Sequence, residues 1–422
     1  MNSNRSCTPQ WHLDVNTPIR IDGEREFIAF AALISTSIAL SIDMVLPAFA
    51  DLRSSFGMEP TSNLPGLTIT CIFIGMAIGM PFFGPLADTY GRIPVLRAGI
   101  ALFALGALGS TLAPNLGSLL ASRVLWGIGC AAPRTISQAM IRDKFEGDDM
   151  ARVMAIVQTI FFAGPVLAPV IGDLLVRTGG SWRLTMLFGL AIAIVIWLWS
   201  FRITESLDSA NKRDLSFSET KQGLRVVWGN RVTIGYALTL LFSGGAFYSF
   251  LSSSELIISE VFKKPTWFVP YFSITMGVMA AVALTGSRVV VRIGARRLGH
   301  GALAFQLGVS FLMLALALST DGVPPVGLWM VLMTAQIAAM VVMMPTMTTL
   351  ALEPMEALAG TAASTIGFIT LAFGALLGAI VDRQITSTVT PLAVGYALYT
   401  SLAVVVVLTM VRKNNSEHCN PG

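Results

Sequence analysis

About twelve stretches of roughly 20 mostly apolar residues follow one another along this chain, each bounded by a short polar break. No other feature constrains the fold as strongly. Twenty helical residues rise about 30 Å, the thickness of a bilayer's hydrocarbon core. On that ruler the runs extend approximately over Phe27–Ala50, Leu67–Ala87, Val95–Leu112, Leu116–Ile141, Arg152–Val176, Trp182–Phe201, Val232–Ser254, Trp267–Val291, Leu298–Leu318, Val326–Leu350, Ala357–Val381 and Leu392–Val411. The expected fold class is an all-α membrane protein: twelve transmembrane helices in two six-helix pseudo-repeat halves.

Composition agrees. Of 422 residues, 54% are apolar and 12% charged, against about 25% charged in an ordinary soluble domain. The net charge of +4 is no nucleic-acid footprint, because the basic residues fall in separate short loops. With both termini cytoplasmic, about twenty Arg and Lys lie in inside segments and about six outside: Arg53, Arg177, Arg183, Lys263, Lys264 and Arg383. Asp14, Asp22, Glu24 and Glu26 precede the first apolar run, which argues against a cleavable signal peptide. The expected organisation is a cytoplasmic tail (1–26), a first half (27–203), a cytoplasmic linker (204–231), a second half (232–411) and a cytoplasmic tail (412–422). In the linker, Ser216 and Glu219 have capping-box spacing, and Phe217, Leu224, Val227 and Trp228 recur helically, as in a short amphipathic helix on the membrane surface. Cys7, Cys71, Cys130 and Cys419 are unclustered, as are His12, His300 and His418, so no disulfide framework, metal site or cofactor is expected. The same scatter counts against a membrane-embedded enzyme.

Charges inside apolar runs are costly and point to function. Asp43 lies in the first run, four residues before Pro47, which deprives its carbonyl of an intrahelical donor. It needs a partner, water or a proton. Arg123, in the fourth run, falls at a similar depth, so an ion pair or a water-bridged pair with Asp43 is expected; the bland alternative is an arginine that snorkels to headgroups. Arg134 and Gln138 lie deeper in the same run. Glu255 ends the seventh run, as a hydrated rim residue or a second titratable acid. Tyr248, Gln336, Met343, Met344 and Met347 are candidates to line an adaptable cavity.

Between the second and third runs stands Gly84-Pro85-Leu86-Ala87-Asp88-Thr89-Tyr90-Gly91-Arg92, followed by Arg97. This G-P-L-A-D-x-x-G-R turn resembles the signature loop of the major facilitator superfamily, and Arg292-Ile293-Gly294-Ala295-Arg296-Arg297 is a degenerate echo after the eighth run. Arg123-x-x-Trp126-Gly127-x-Gly129 is similar to the superfamily's fourth-helix motif, with Trp126 in place of the common Gln. Gly164-Pro165 through Pro169 and Gly172 resembles its antiporter motif, and Gly360-Thr361-Ala362-Ala363-Ser364 a small-residue stretch of the eleventh helix. With Asp43-x-x-x-Pro47 and Ile141-Arg142-Asp143, the chain resembles the Bcr/CflA-type drug/proton antiporters.

The resemblance implies a monomer in a bacterial inner membrane that exports a small amphipathic drug or toxic metabolite by alternating access, driven by protons. Asp43 would carry the proton and Arg123 tune it. Asp88 would lock the outward-facing state by docking near the start of the eleventh helix, close to Glu353 and Glu356, while Arg92 and Arg97 hold neighbouring acids. A nutrient or metabolite facilitator of the same fold, without obligatory proton exchange, is the alternative.

Overall fold

A computed structural model describes residues 24–208 and 224–411. Most of both tails, and the Ser216–Glu219 capping box with Phe217, lie outside the described residues. The remaining part of the linker is helical over 224–229, where Val227 is buried against Met355 and Trp228 is exposed.

The helices are α1 (Arg25–Asp43), α2 (Leu67–Tyr90), α3 (Arg92–Leu112), α4 (Leu116–Lys144), α5 (Gly147–Gly179), α6 (Arg183–Trp199), α7 (Arg231–Leu256), α8 (Phe268–Ile293), α9 (Ala295–Ser319), α10 (Val326–Leu352), α11 (Ala359–Asp382) and α12 (Thr390–Val406). Eleven of the described helical segments are long and apolar enough to cross a membrane, and α6, at 17 residues, is a shorter apolar helix. Together they account for the twelve runs. At α5 the helix starts five residues before the expected run, at Gly147 rather than Arg152, and carries Asp148 and Asp149 in its first turn. Acids there complement the positive end of the helix dipole, so the helix extends beyond the apolar run.

The two halves repeat one packing scheme. In the first, α1 packs on α5, α2 and α3 on α4, and α3 on α6; in the second, α7 packs on α11, α8 and α9 on α10, and α9 on α12. The seam between halves is made chiefly by α2 against α11 and α5 against α8, which the same repeat relates to each other. Large apolar side chains on the outer helices stay exposed, among them Leu105 and Leu112 of α3, Leu198 of α6, Phe311 of α9 and Leu398 of α12. Water would not tolerate such a belt, whereas lipid tails do.

Close backbone approach holds the first half together. A methyl group added at Gly75 of α2 would lie 2.9 Å from the Gly127 Cα of α4, and one at Gly127 would lie 3.0 Å from the Gly75 Cα. Gly129 of α4 meets the Phe103 backbone of α3 in the same way. Small residues at such contacts are the usual adhesive between helices in lipid.

The helices run alternately between an arginine-rich end, which holds Arg92, Arg142, Arg202 and Arg296, and an arginine-poor end, which holds Arg53, Arg177 and Arg383.

Candidate functional site

The α-helical pattern of the first span stops at Asp43. A 3-10 turn, Leu46–Ala48, contains Pro47, and a short helix, Phe49–Ser55, continues the path. Pro47 has no N–H to return to Asp43, so the break falls where the ring requires it. Asp43 is 4% exposed, and its Oδ1 is buried without a hydrogen-bond partner. The glycines of α5 press on this part of α1. A methyl at Gly164 would lie 2.9 Å from the Ala39 Cβ, and one at Gly172 would strike the Met44 carbonyl. Pro165 and Pro169 are buried on the same helix, which runs on through both. The G-P helix therefore abuts the carboxylate-bearing break directly.

Arg123 is 1% exposed and does not snorkel. Its Nη1 donates to the Ser41 carbonyl at 3.0 Å, and its guanidinium lies over the Trp126 ring, 4.7 Å from the centroid. Trp126 itself is wedged between α3 and α6, 5.3 Å from Phe103 and against Gly189. Of the two arrangements expected with Asp43, the direct ion pair is not formed: Arg123 reaches the backbone two residues before Asp43, and no salt bridge joins the two side chains among the described residues. A carbonyl and an aromatic face support the cation, which leaves the carboxyl of Asp43 without a fixed counter-ion.

The cavity candidates divide. Arg134 and Gln138 are exposed on α4, and Arg134 stands within electrostatic reach of the Tyr248 hydroxyl across the seam. Tyr248 packs against Phe73 of α2, the rings tilted and their centroids 4.3 Å apart. Gln336 is different. It is wholly buried, donating to the Gln306 carbonyl at 3.0 Å and to Ser310 at 2.5 Å, while Gln306 donates back to the Gln336 carbonyl at 3.4 Å. Two amides that donate to each other's backbones clamp α9 to α10, and in this arrangement Gln336 is packed between those helices. Met343 and Met347 are likewise packed inside the second half, with Met344 half-buried beside them.

At the arginine-rich end, Gly91 breaks the chain between α2 and α3 with φ +106° and ψ 156°, a conformation essentially reserved for glycine. Gly84 packs lightly on Thr135. Arg92, 8% exposed, bridges Asp88 and Asp143, with Nε 2.8 Å from Asp143. Glu205 caps the start of α3, its carboxylate accepting from the N–H groups of Arg92 at 2.9 Å and Ile93 at 3.0 Å. Free N–H groups at a helix start favour such an anion. Asp88 meets Arg92 within its own half in this arrangement, whereas its docking on α11 is expected of the outward-facing state. One expectation is corrected: Arg97 holds no acid among the described residues. It donates to the Ser200 hydroxyl and carbonyl at 3.0 Å each and covers the Phe201 ring. Gly91→Ala is expected to destabilise the protein by about 2 kcal/mol, because a methyl there would also lie 2.8 Å from Glu205 Oε2. A lower melting temperature of the detergent-purified variant, with Glu205→Ala showing a smaller drop, checks this.

The arginine-poor end is closed across the seam. Arg53, from the short helix after α1, pairs with Glu255 of α7, and both are buried. Glu255 is thus no hydrated rim residue. Arg53 Nε also donates to the Ser62 carbonyl at 2.9 Å. Asn63 donates to Asp382, at the end of α11, at 2.7 Å.

A family model described as Major Facilitator Superfamily matches residues 31–381. The chain belongs to the major facilitator superfamily. A bicyclomycin resistance protein homolog of Haemophilus influenzae is 28% identical over 374 residues, 87% of this chain and 91% of the relative. The chloramphenicol resistance protein CraA of Acinetobacter baumannii is 26% identical over 231 residues, 55% of each chain. Among solved structures, a D-xylose-proton symporter superposes with a TM-score of 0.74 at 16% identity, covering 91% of this chain and 96% of that one. Human organic anion transporter MFSD10 gives 0.64 at 18% identity, covering 92% and 99%. At these identities the structural likeness speaks for the fold alone. The protein is a multi-pass membrane transporter of the superfamily, similar in sequence to proteins named for drug resistance.

Four residues of this superfamily transporter escaped the sequence reading: Arg53, Asn63, Glu205 and Asp382. Each lies at the edge of an apolar run, where a polar residue is ordinary. Only the partner identifies it, and Asn63 and Asp382 stand 319 positions apart.

Proposed function

We propose that the transporter exports a small amphipathic drug or toxic metabolite from a bacterial cytoplasm in exchange for protons. The observation that carries this reading is Asp43, a buried carboxyl at a helix break, with one oxygen unpartnered and the nearby Arg123 committed elsewhere. Such a group can gain and lose a proton without dismantling a salt bridge. The names of the relatives favour drugs as substrates.

The arginine-rich end faces the cytoplasm, with both termini on that side, as the positive-inside bias requires. The described arrangement is then the one closed outward, by Arg53–Glu255 and Asn63–Asp382. Substrate enters from the cytoplasm between the halves, past Arg134 and the Tyr248–Phe73 pair, with Gln138 one helical turn from Arg134 on α4. The exposed charge of Arg134 disfavours strongly cationic compounds. Substrate arrival releases the proton from Asp43 inward. The halves then rock, and Asp88 is freed to find its partner on α11. Outside, a fresh proton displaces the cargo.

Accumulation of a panel of labelled antibiotics and dyes in expressing cells tests the proposal. Accumulation of at least one compound is expected to fall several-fold on expression and to return to the control level with an uncoupler. A reduction that the uncoupler leaves intact, or an increase on expression, would contradict it.

A further inference from the structure

Asp382 ends α11 at the arginine-poor end and is 2% exposed. Its surroundings come from both halves. Asn63, in the turn that leads into α2, donates Nδ2–H to Asp382 Oδ1 at 2.7 Å and to its main-chain carbonyl at 3.2 Å. Gly66 of the same turn comes so near that a methyl there would lie 2.7 Å from Oδ2 and 3.0 Å from the Ser252 Cβ. From α7, Ser252 and Ser253 flank the carboxyl. Both hydroxyls are within hydrogen-bond reach of it, and each is also claimed by a carbonyl of its own helix, Tyr248 at 2.8 Å and Ser249 at 2.5 Å.

No cation completes the group. Asp382 has no ion pair among the described residues. The charged groups on the elements packed here are Arg53 and Glu255, which neutralise each other, and Arg383, which is exposed on the same helix end. A carboxylate so placed would exchange its hydration for one amide and two hydroxyls that carbonyls also claim, with no opposite charge beside it, a poor trade for a buried charge. A carboxylic acid fits instead, its O–H donating to a serine oxygen.

We propose that Asp382 is a second proton-binding site, filled from the arginine-poor side as the seam closes over it and emptied to that same side as the seam parts. Filling and emptying face one compartment, so this proton is not carried across. It sets how readily that end shuts. Acid on that side favours closure, and alkali favours opening. The site rests on the alternating-access reading above, but it is separate from Asp43, and its test reads conformation rather than transport.

Spin labels at Ser55→Cys and Ser387→Cys, both exposed and on opposite halves, report the width of the seam. The full chain, with its four native cysteines replaced, is placed in nanodiscs for electron-electron distance measurement between pH 5 and 9. The closed-to-open ratio is expected to rise as pH falls, by up to about tenfold per unit, the limit for one proton. In Asp382→Asn it is expected to stay high and to change less than about twofold over the range; Asp382→Glu restores the slope. If the amide variant is recovered unfolded, Asp382→Ser, which also cannot titrate, is expected to give the same flat profile. A wild-type slope that persists in the untitratable variant overturns the proposal, as does a wild type without pH dependence. Asp43→Asn should keep the slope, so a failure of proton-coupled export and a failure of this site give different results.

Discussion

Asp43→Asn is expected to reduce drug-driven proton release from proteoliposomes to the level of empty vesicles. The amide has nearly the shape of the acid and fits the same buried place, where one oxygen already lacks a partner. It cannot exchange a proton. Substrate binding and drug–drug counterflow are expected to survive, because neither needs the carboxyl to change state. Arg123→Lys should act more mildly. A lysine retains the charge but loses both the planar stacking on Trp126 and the fixed bond to the Ser41 carbonyl. A tenfold fall in coupled rate, about 1.4 kcal/mol, is the expected scale. Full drug-driven proton release by correctly inserted Asp43→Asn protein would remove Asp43 from the mechanism.

The second large effect concerns the arginine-poor end. Glu255→Gln strands the Arg53 guanidinium in a place where it is 3% exposed. Removing one partner of a buried ion pair costs about 3–5 kcal/mol. That penalty falls on the closed arrangement only, since opening returns Arg53 to water. The conformational balance should therefore move toward the outward-open form by a factor of about 100 or more. A membrane-impermeant maleimide applied from outside would read this as faster labelling of a cysteine placed at Ser252, which is buried while the seam is shut. The double exchange Arg53→Glu with Glu255→Arg restores opposite charges and is expected to recover most of the protection. Equal labelling of Glu255→Gln and its parent would show that the pair does not hold the gate.

Helix number and order were legible because a bilayer imposes a length on every span, and the residues obey it even where α6 falls short. The break after Asp43 was legible for an equally local reason: Pro47 acts on a residue four positions back. The partners were not. A polar side chain in an apolar run has two remedies, an aqueous cavity or a reciprocal bond to another helix, and composition does not separate them. Gln336 took the second through Gln306. Arg123 took a backbone carbonyl where a direct or water-bridged carboxylate had been expected. Arg97 likewise satisfied itself on Ser200 and Phe201, while the acid that serves the turn, Glu205, lay beyond α6. Contacts of this kind depend on which helices become neighbours, information held by the whole bundle rather than by any stretch of it.

The glycine contacts of α2 and α3 with α4 set backbone on backbone, with no side chain between them to yield. The 29 residues of α4 span about 44 Å as one rod. Pivoting such a rod by about 10° about one tip swings the other through about 8 Å, comparable to the width of a small solute. An adjustment near Arg123 is thereby magnified at Arg142 and Asp143 without either half having to deform. Stiffness is what gives the molecule its leverage, and a softer contact at Gly127 would blunt the stroke well before it unfolded the bundle.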